Sequence, residues 1–313
     1  MRYTADLITA VRQRTNNEDY TVDSTGVITA GIGDDLILEF LNDGQEHLQS
    51  SIIAVYPQEF TADNTISMIN GQEAYSLPET TFINNKILHV QYSYSGRDED
   101  YENLPQRTLN DRITSTSNHP SFYIRRSGQL LFNPIPTTTT GKARVTYYRA
   151  LDRLDVRRGQ IASRTLTSTA ITALALDTSS DDAIKLATAT HLCVNDADGN
   201  VTMYNIPITG YDSGTGVVTI NSGSYTFDTG ETAAVGSYVT IGRYTTTHSK
   251  LPTDCERYIK MYAQLRVLEK DSSIDAETER MALDKAGQEI ILNFSNITED
   301  VEEIPILDYD IIY

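Results

Sequence analysis

Apolar residues in this chain repeat with two different periods, and the period changes at two prolines, Pro57 and Pro252. That switch constrains the fold more than any motif does. Apolar residues recurring every three or four positions share one face of a helix, whereas strict alternation puts them on one face of a strand. Ahead of Pro57 the period is helical. Leu7, Ile8 and Val11 predict a helix over 4–14, with Thr4 placed to cap it. Leu36, Ile37, Phe40, Leu41, Leu48, Ile52, Val55 and Tyr56 form one stripe over 34–56. Asp34 and Asp35 stand where the helix dipole favours negative charge, and Gly44 is a tolerated cost inside the helix. Gly31-x-Gly33 reads as a helix-entry loop. It is a poor dinucleotide loop, because Leu36 holds the third glycine position and no strand–turn–helix unit surrounds it.

After Pro252 the helical period returns. Thr253-x-x-Glu256 reads as a capping box stapled by Leu251. It opens a helix over 253–271 bearing Tyr258, Ile259, Tyr262 and Leu265. A second helix, over 275–294, carries Met281, Ala286, Ile290 and Phe294, and so short a break makes the two antiparallel neighbours. Between the prolines the period is two. Strands are predicted at 87–92, 122–124, 129–132 and 144–148, with Ser127-Gly128 as a hairpin turn. From about 160 to 248 the chain is rich in Thr, Ser, Gly and Val and poor in Lys and Arg. Strands are predicted there at 191–194, 201–204, 216–220 and 238–241, joined by turns at Asp198-Gly199 and Asp212-Ser213-Gly214. The expected fold class is therefore α+β. A helical bundle core (1–155 with 249–295) carries a β subdomain at 61–150 and an inserted all-β domain at 160–248, and an extended tail follows at 296–313.

Groups that carry chemistry are scattered. His47, His89, His119, His191 and His248 show no metal-ligand spacing, and Cys193 and Cys255 read as buried free thiols rather than a pair. The stretch 196–200 (Asp-Ala-Asp-Gly-Asn) reads as a hairpin turn, since its glycine is misplaced for a calcium loop and no bidentate Glu follows. Arg157-Arg158 reads as a solvated turn. No nucleophile elbow or phosphate loop is present, so no catalytic residue, cofactor or metal is expected and the chain is not expected to be an enzyme. No apolar run is long enough to span a bilayer, and the polar start of the chain fits folding in a cytoplasm. The formal net charge of -18 argues against a protein that wraps DNA and fits a surface past which DNA slides.

The order of these elements is recognisable. A short helix precedes the long helix 36–45 (Leu-Ile-Leu-Glu-Phe-Leu-Asn-Asp-Gly-Gln). The β region follows, opening at 71–78 with Gly-Gln-Glu-Ala-Tyr-Ser-Leu-Pro. It continues through Pro120-Ser121-Phe122-Tyr123 and 131–136 to Val145-Thr146-Tyr147-Tyr148. With the helical pair after Pro252, this resembles the head-to-tail adaptor (connector, neck) proteins of tailed bacteriophages. The resemblance implies a structural protein of the virion. It implies a twelve-subunit ring beneath the portal protein, which extends the DNA channel, takes part in DNA ejection and receives tail or neck proteins. DNA would pass through the lumen without specific binding. The 160–248 insertion departs from the shortest family members.

Tail docking is also implied by the resemblance. Carboxylates at Glu299, Asp300, Glu302, Glu303, Asp308 and Asp310 have no compensating base. They intersperse with Ile304, Ile306, Leu307, Tyr309, Ile311, Ile312 and Tyr313, the expected portal-docking residues. Pro305 keeps the segment extended, and Tyr309 and Tyr313 are the expected anchors. Two other readings stand beside it: a stopper or tail-attachment protein of the neck, and a glycan-binding or glycan-cleaving protein using Tyr204, Tyr211, Tyr225 and Tyr238.

Overall fold

The computed structural model describes residues 3–16, 21–22, 28–78, 87–166, 171–221, 233–270 and 276–299. It is a mixed α+β protein, with five α-helices and a closed six-stranded barrel among the described residues. The chain falls into two compact units, Met1–Ile52 with Asp152–Tyr313, and Ile53–Leu151. The sequence reading grouped 61–150 with the helices, whereas the compact units group the barrel segment with them.

In the first unit the helices are α1 (Thr4–Thr15), α2 (Asp34–Val55, which runs on to the unit boundary), α3 (Ser180–Thr188), α4 (Cys255–Lys270) and α5 (Glu277–Glu299). α4 packs against α1 and α5 and also touches α2. Gly44 on α2 lies so close that an added Cβ would stand 3.0 Å from Tyr262 Cβ, and Gly287 on α5 would bring one within 3.1 Å of Tyr258. Gly44 is thus the residue that lets two helices approach, and not merely a tolerated cost. Tyr258 meets Gly287 and Arg280 bonds Glu269, so α4 and α5 run antiparallel as the short break implied. Leu7, Val11, Ile37, Leu41, Ile259 and Ala263 are fully buried.

Three helix ends differ from the sequence reading. Tyr3, not Thr4, occupies the cap position of α1, because the Thr4 hydroxyl donates to the Thr247 carbonyl at 2.9 Å. α4 begins at Cys255, with the Cys255 and Glu256 N–H groups donating to the carbonyls of Pro252 and Thr253. α5 continues to Glu299, past the expected start of the tail at 296.

The barrel closes in the order Gly159–Leu166, Ile171–Asp177, Val217–Ile220, Val201–Asp212, His191–Asn195, Tyr238–Ile241 and back. Leu174, Leu192, Val194, Met203, Ile206, Val218 and Val239 fill it. α3, absent from the sequence expectation of an all-β segment, adds the fully buried Leu186 to this core. The Ser179 hydroxyl caps α3 by accepting from the Asp182 N–H at 3.2 Å, and Asp181 and Asp182 favour its N-terminal dipole.

The second unit has two four-stranded sheets. One runs Thr61–Ser67, Lys142–Tyr148, Ile87–Ser93, Glu102–Leu104, and the other Ala74–Ser76, Gln129–Asn133, Phe122–Arg126, Gln106–Arg107. Ser127 and Gly128 both have positive φ, 48° and 77°, and Arg126 pairs with Gln129, which makes the expected two-residue hairpin. Val90, Tyr92, Leu130, Phe132, Val145 and Tyr147 form the core.

Candidate functional site

Where the chain enters and leaves the barrel, short backbone pairings join it to α1 and α2. Arg153-Leu154 pairs in parallel with Thr245-Thr246, and Tyr3 bridges to His248. Asn42 on α2 holds both backbone groups of Leu154, donating to its carbonyl at 3.0 Å and accepting its N–H at 2.7 Å. Gln45 donates to the Asp152 carbonyl at 2.9 Å and accepts from the Ser249 hydroxyl at 2.9 Å.

Charged side chains are buried in this seam. Arg158 is 7% exposed, pairs with Asp155 at 2.6 Å and reaches Asp182 at 3.3 Å. Asp155 also accepts the Ile241 N–H at 2.8 Å. Burial opposes the guanidinium charge, but the bonds to Asp155 and the attraction of Asp182 outweigh it and raise the Arg158 pKa. Lys250 pairs with the buried Asp152 at 2.5 Å, and Tyr204 donates to the same carboxylate at 2.8 Å. Arg157 lies between the rings of Tyr3 and Tyr238, 3.3 and 3.8 Å from their centroids. The sequence reading of Arg157-Arg158 as a solvated turn is therefore corrected. The signal it passed over was Asp155, three residues before Arg158.

The other singled-out residues lie apart. His248 is buried and packs at a tilt against the Tyr3 ring, centroids 4.1 Å apart, with its pKa lowered by burial and then by the Arg157 charge. His47 bonds Tyr258 at 2.8 Å, and His191 bonds Arg243 at 3.1 Å. Cys193 and Cys255 are buried free thiols, and burial pushes the Cys255 thiol up to about 12. At 196–200 Asp196 closes the predicted hairpin, accepting the Asn200 N–H at 2.7 Å. Among the described residues no group of three His, Cys, Asp or Glu is gathered as for a metal ion. No described helix is long and apolar enough to cross a membrane. Tyr204 and Tyr238 serve the seam, and Tyr211 bonds Thr178 at 3.0 Å. Tyr225 and all seven expected docking residues, Ile304, Ile306, Leu307, Tyr309, Ile311, Ile312 and Tyr313, lie outside the described residues.

Two surfaces stand out instead. In the second unit, residues 105–116 are all exposed yet held in place. Thr108 and Asp111 cap a single 3-10 turn, Arg112 grips Glu73 through two bonds of 2.7 and 2.6 Å, and the Ile113 N–H donates to the buried Asn133 side chain at 2.9 Å. The Arg112 bonds hold the Glu73 carboxyl below its usual range. This pinned loop presents Leu109 at 48% and Ile113 at 43% exposure. In the first unit, α2 exposes an acidic row, Asp35, Glu39, Asp43 and Glu46, at helical spacing. Beside it a cleft of about 540 Å³ is lined mainly by polar and charged residues, among them Asp35, Glu39, Asn42, Arg153 and Arg243, with Leu38 and Ile241.

Residues 1–157 match the family model described as SU10 adaptor protein, which makes the chain a phage structural protein of adaptor type and a component of the virion. The match spans half of the chain, and the chain belongs to the SU10 adaptor protein family. No curated protein matches it. The match takes in α1, α2 and the whole second unit. The barrel, α4 and α5 lie beyond it, although the sequence resemblance had also assigned the last two helices to the family.

Proposed function

We propose that the protein is a head-to-tail adaptor subunit that works by assembling, twelve copies to a ring, beneath the portal protein. The ring extends the DNA channel and offers a platform to tail or neck proteins, and the chain catalyses no reaction. The observation that carries this reading is the family match over the N-terminal half. The acidic α2 row supports a channel past which DNA slides, since a wall that releases no counterions gains nothing by holding DNA. The residues beyond the end of α5 at Glu299 join uncompensated carboxylates to Ile304, Ile306, Leu307, Tyr309, Ile311, Ile312 and Tyr313, and act as the portal-docking tail. Assembly takes place in the host cytoplasm.

Mass photometry of the full chain with and without its portal tests the reading. Single copies alone and a closed ring on the portal are expected, and truncation after Glu299 abolishes binding to the portal with an unchanged melting temperature. A stable small oligomer that ignores the portal overturns it.

A further inference from the structure

The closed barrel has no sheet edge, but the two four-stranded sheets of the second unit do. Three of their four outer strands, Ala74–Ser76, Gln106–Arg107 and Glu102–Leu104, are two or three residues long. The fourth, Thr61–Ser67, has seven residues and none is buried. It pairs with Lys142–Tyr148 on one side through an unbroken register. Opposite residues of an antiparallel pair alternately exchange two bonds and none. The bonds from the Met68 N–H to the Gly141 carbonyl and from the Arg149 N–H to the Phe60 carbonyl set the parity. Ala62, Asn64 and Ile66 therefore bond to Lys142–Tyr148, and Thr61, Asp63, Thr65 and Ser67 turn their backbone groups outward. The Gln58 carbonyl accepts the Thr61 N–H. The N–H groups of Asp63, Thr65 and Ser67, and the carbonyls of all four residues, have no partner among the described residues. Proteins blunt such an edge with lysine, proline or a bulge, and this strand has none of the three.

We infer that this edge takes up an extended segment of a tail or neck protein as an added strand of the sheet. A row of outward N–H and C=O groups is complementary to another extended backbone, and the side chains beside it select which one. Ala62 and Ile66 are only half-buried against the core of the unit, so the added strand sets apolar side chains next to them. Thr61, Asp63, Thr65 and Ser67 stand exposed on the other face. Asp63 is the one charge there. It accepts the Thr146 hydroxyl and makes no ion pair among the described residues. The occupant therefore alternates apolar residues with polar ones and places a Lys or Arg beside Asp63. A second copy's edge strand fits poorly. It returns another Asp63 to the same face and forms a two-fold contact that closes at two copies. The inference rests on the adaptor reading above and adds to it the place where the platform is gripped.

The test uses the full chain with an end-blocked peptide, Val-Lys-Val-Thr-Val-Lys-Val, and a control peptide with Glu in place of Lys. Hydrogen exchange is resolved to single amides, and affinity is read by fluorescence polarisation. The free chain is expected to exchange the amides of Asp63, Thr65 and Ser67 quickly and those of Ala62, Asn64 and Ile66 slowly. The Lys peptide is expected to slow the first three, and the Glu peptide to bind about tenfold more weakly. Thr65→Pro removes an outward N–H and no ladder bond, so peptide binding should be lost with an unchanged melting temperature. Asp63→Lys leaves the backbone intact and is expected to reverse the preference between the peptides. If neither peptide slows the three amides, or Thr65→Pro binds the Lys peptide as the parent does, the inference falls. The same three amides are then followed in the ring on the portal and in complete necks released from virions. They are expected to stay fast in the ring alone and to become slow in the complete neck. Slow exchange already in the ring assigns the edge to a neighbouring copy, and fast exchange in the complete neck leaves it without an occupant; either overturns the inference while the ring reading stands. A chain that forms no ring on the portal, yet shows the three amides slow in the complete neck, overturns the ring reading alone.

Discussion

The two compact units hold their polar groups in opposite ways. Residues 53–151 are charge-neutral, and their marked ion pair, Arg112 with Glu73, clamps an exposed loop. The remainder carries the whole net charge and buries charged groups: Asp152, Asp155 and Arg158 are each under a tenth exposed. The difference follows from how each unit is made. The neutral unit is one continuous stretch, and alternating apolar residues suffice to build its sheets. The other unit joins segments from both ends of the chain with a barrel between them. Apolar burial is non-directional and sets no unique register between such segments, whereas Asn42 on Leu154, Gln45 on Asp152 and Arg158 on Asp155 do.

The largest test of this contrast is Arg158→Ala. Removing one partner of a buried pair leaves the other charge unpaired, at a cost of about 3–5 kcal/mol. Hydrogen exchange should show protection lost across the barrel and helices and kept over 53–151. A loss spread evenly over both units would break the comparison.

Two glycines with positive φ sharpen it. Gly199 has φ +87°, and an added Cβ would meet the ring of His248, whereas Gly71 has φ +78° with nothing within 4 Å. Gly199→Ala should cost about 1–3 kcal/mol through overpacking besides its backbone strain. Gly71→Ala should cost only the strain, about 1–2 kcal/mol. Chemical denaturation of both variants checks the order, and equal losses would mean that the seam yields to the ring without cost.

The smallest effect is in pH. The His248 pKa lies below its ordinary 6.5, so the unfolded chain takes up that proton first. The stability due to the neutral ring is complete above about pH 6.5 and is lost as the pH falls from there towards the lowered folded value. Glu73 is also lowered, from 4.5, and its contribution is lost only as the pH falls below that. On acidification the seam should therefore weaken before the loop clamp. His248→Asn should remove the first change and leave the second, as followed by melting temperature against pH. A single transition near the carboxylate range in both proteins would contradict the assignment.

Much of this was legible in the sequence. The stripes from Leu7 to Val11 and from Leu36 to Val55, the strands at His191–Asn195 and Tyr238–Ile241, and the Ser127-Gly128 turn all follow from local periodicity and local backbone preference. So does the family-like order of helix and β region that the family match bears out over 1–157. α3 was missed because it is only nine residues long and sits in a stretch whose Thr, Ser and Val content reads as strand. What the tertiary structure alone decided is pairing at a distance. It closed the barrel, pressed Gly44 against Tyr262, turned Arg157-Arg158 inward and left Leu109 and Ile113 pinned and bare. Periodicity reports which face a residue takes within its own element. Whether a charge is desolvated or an aliphatic side chain covered depends on which remote segment arrives there, and no local pattern encodes that.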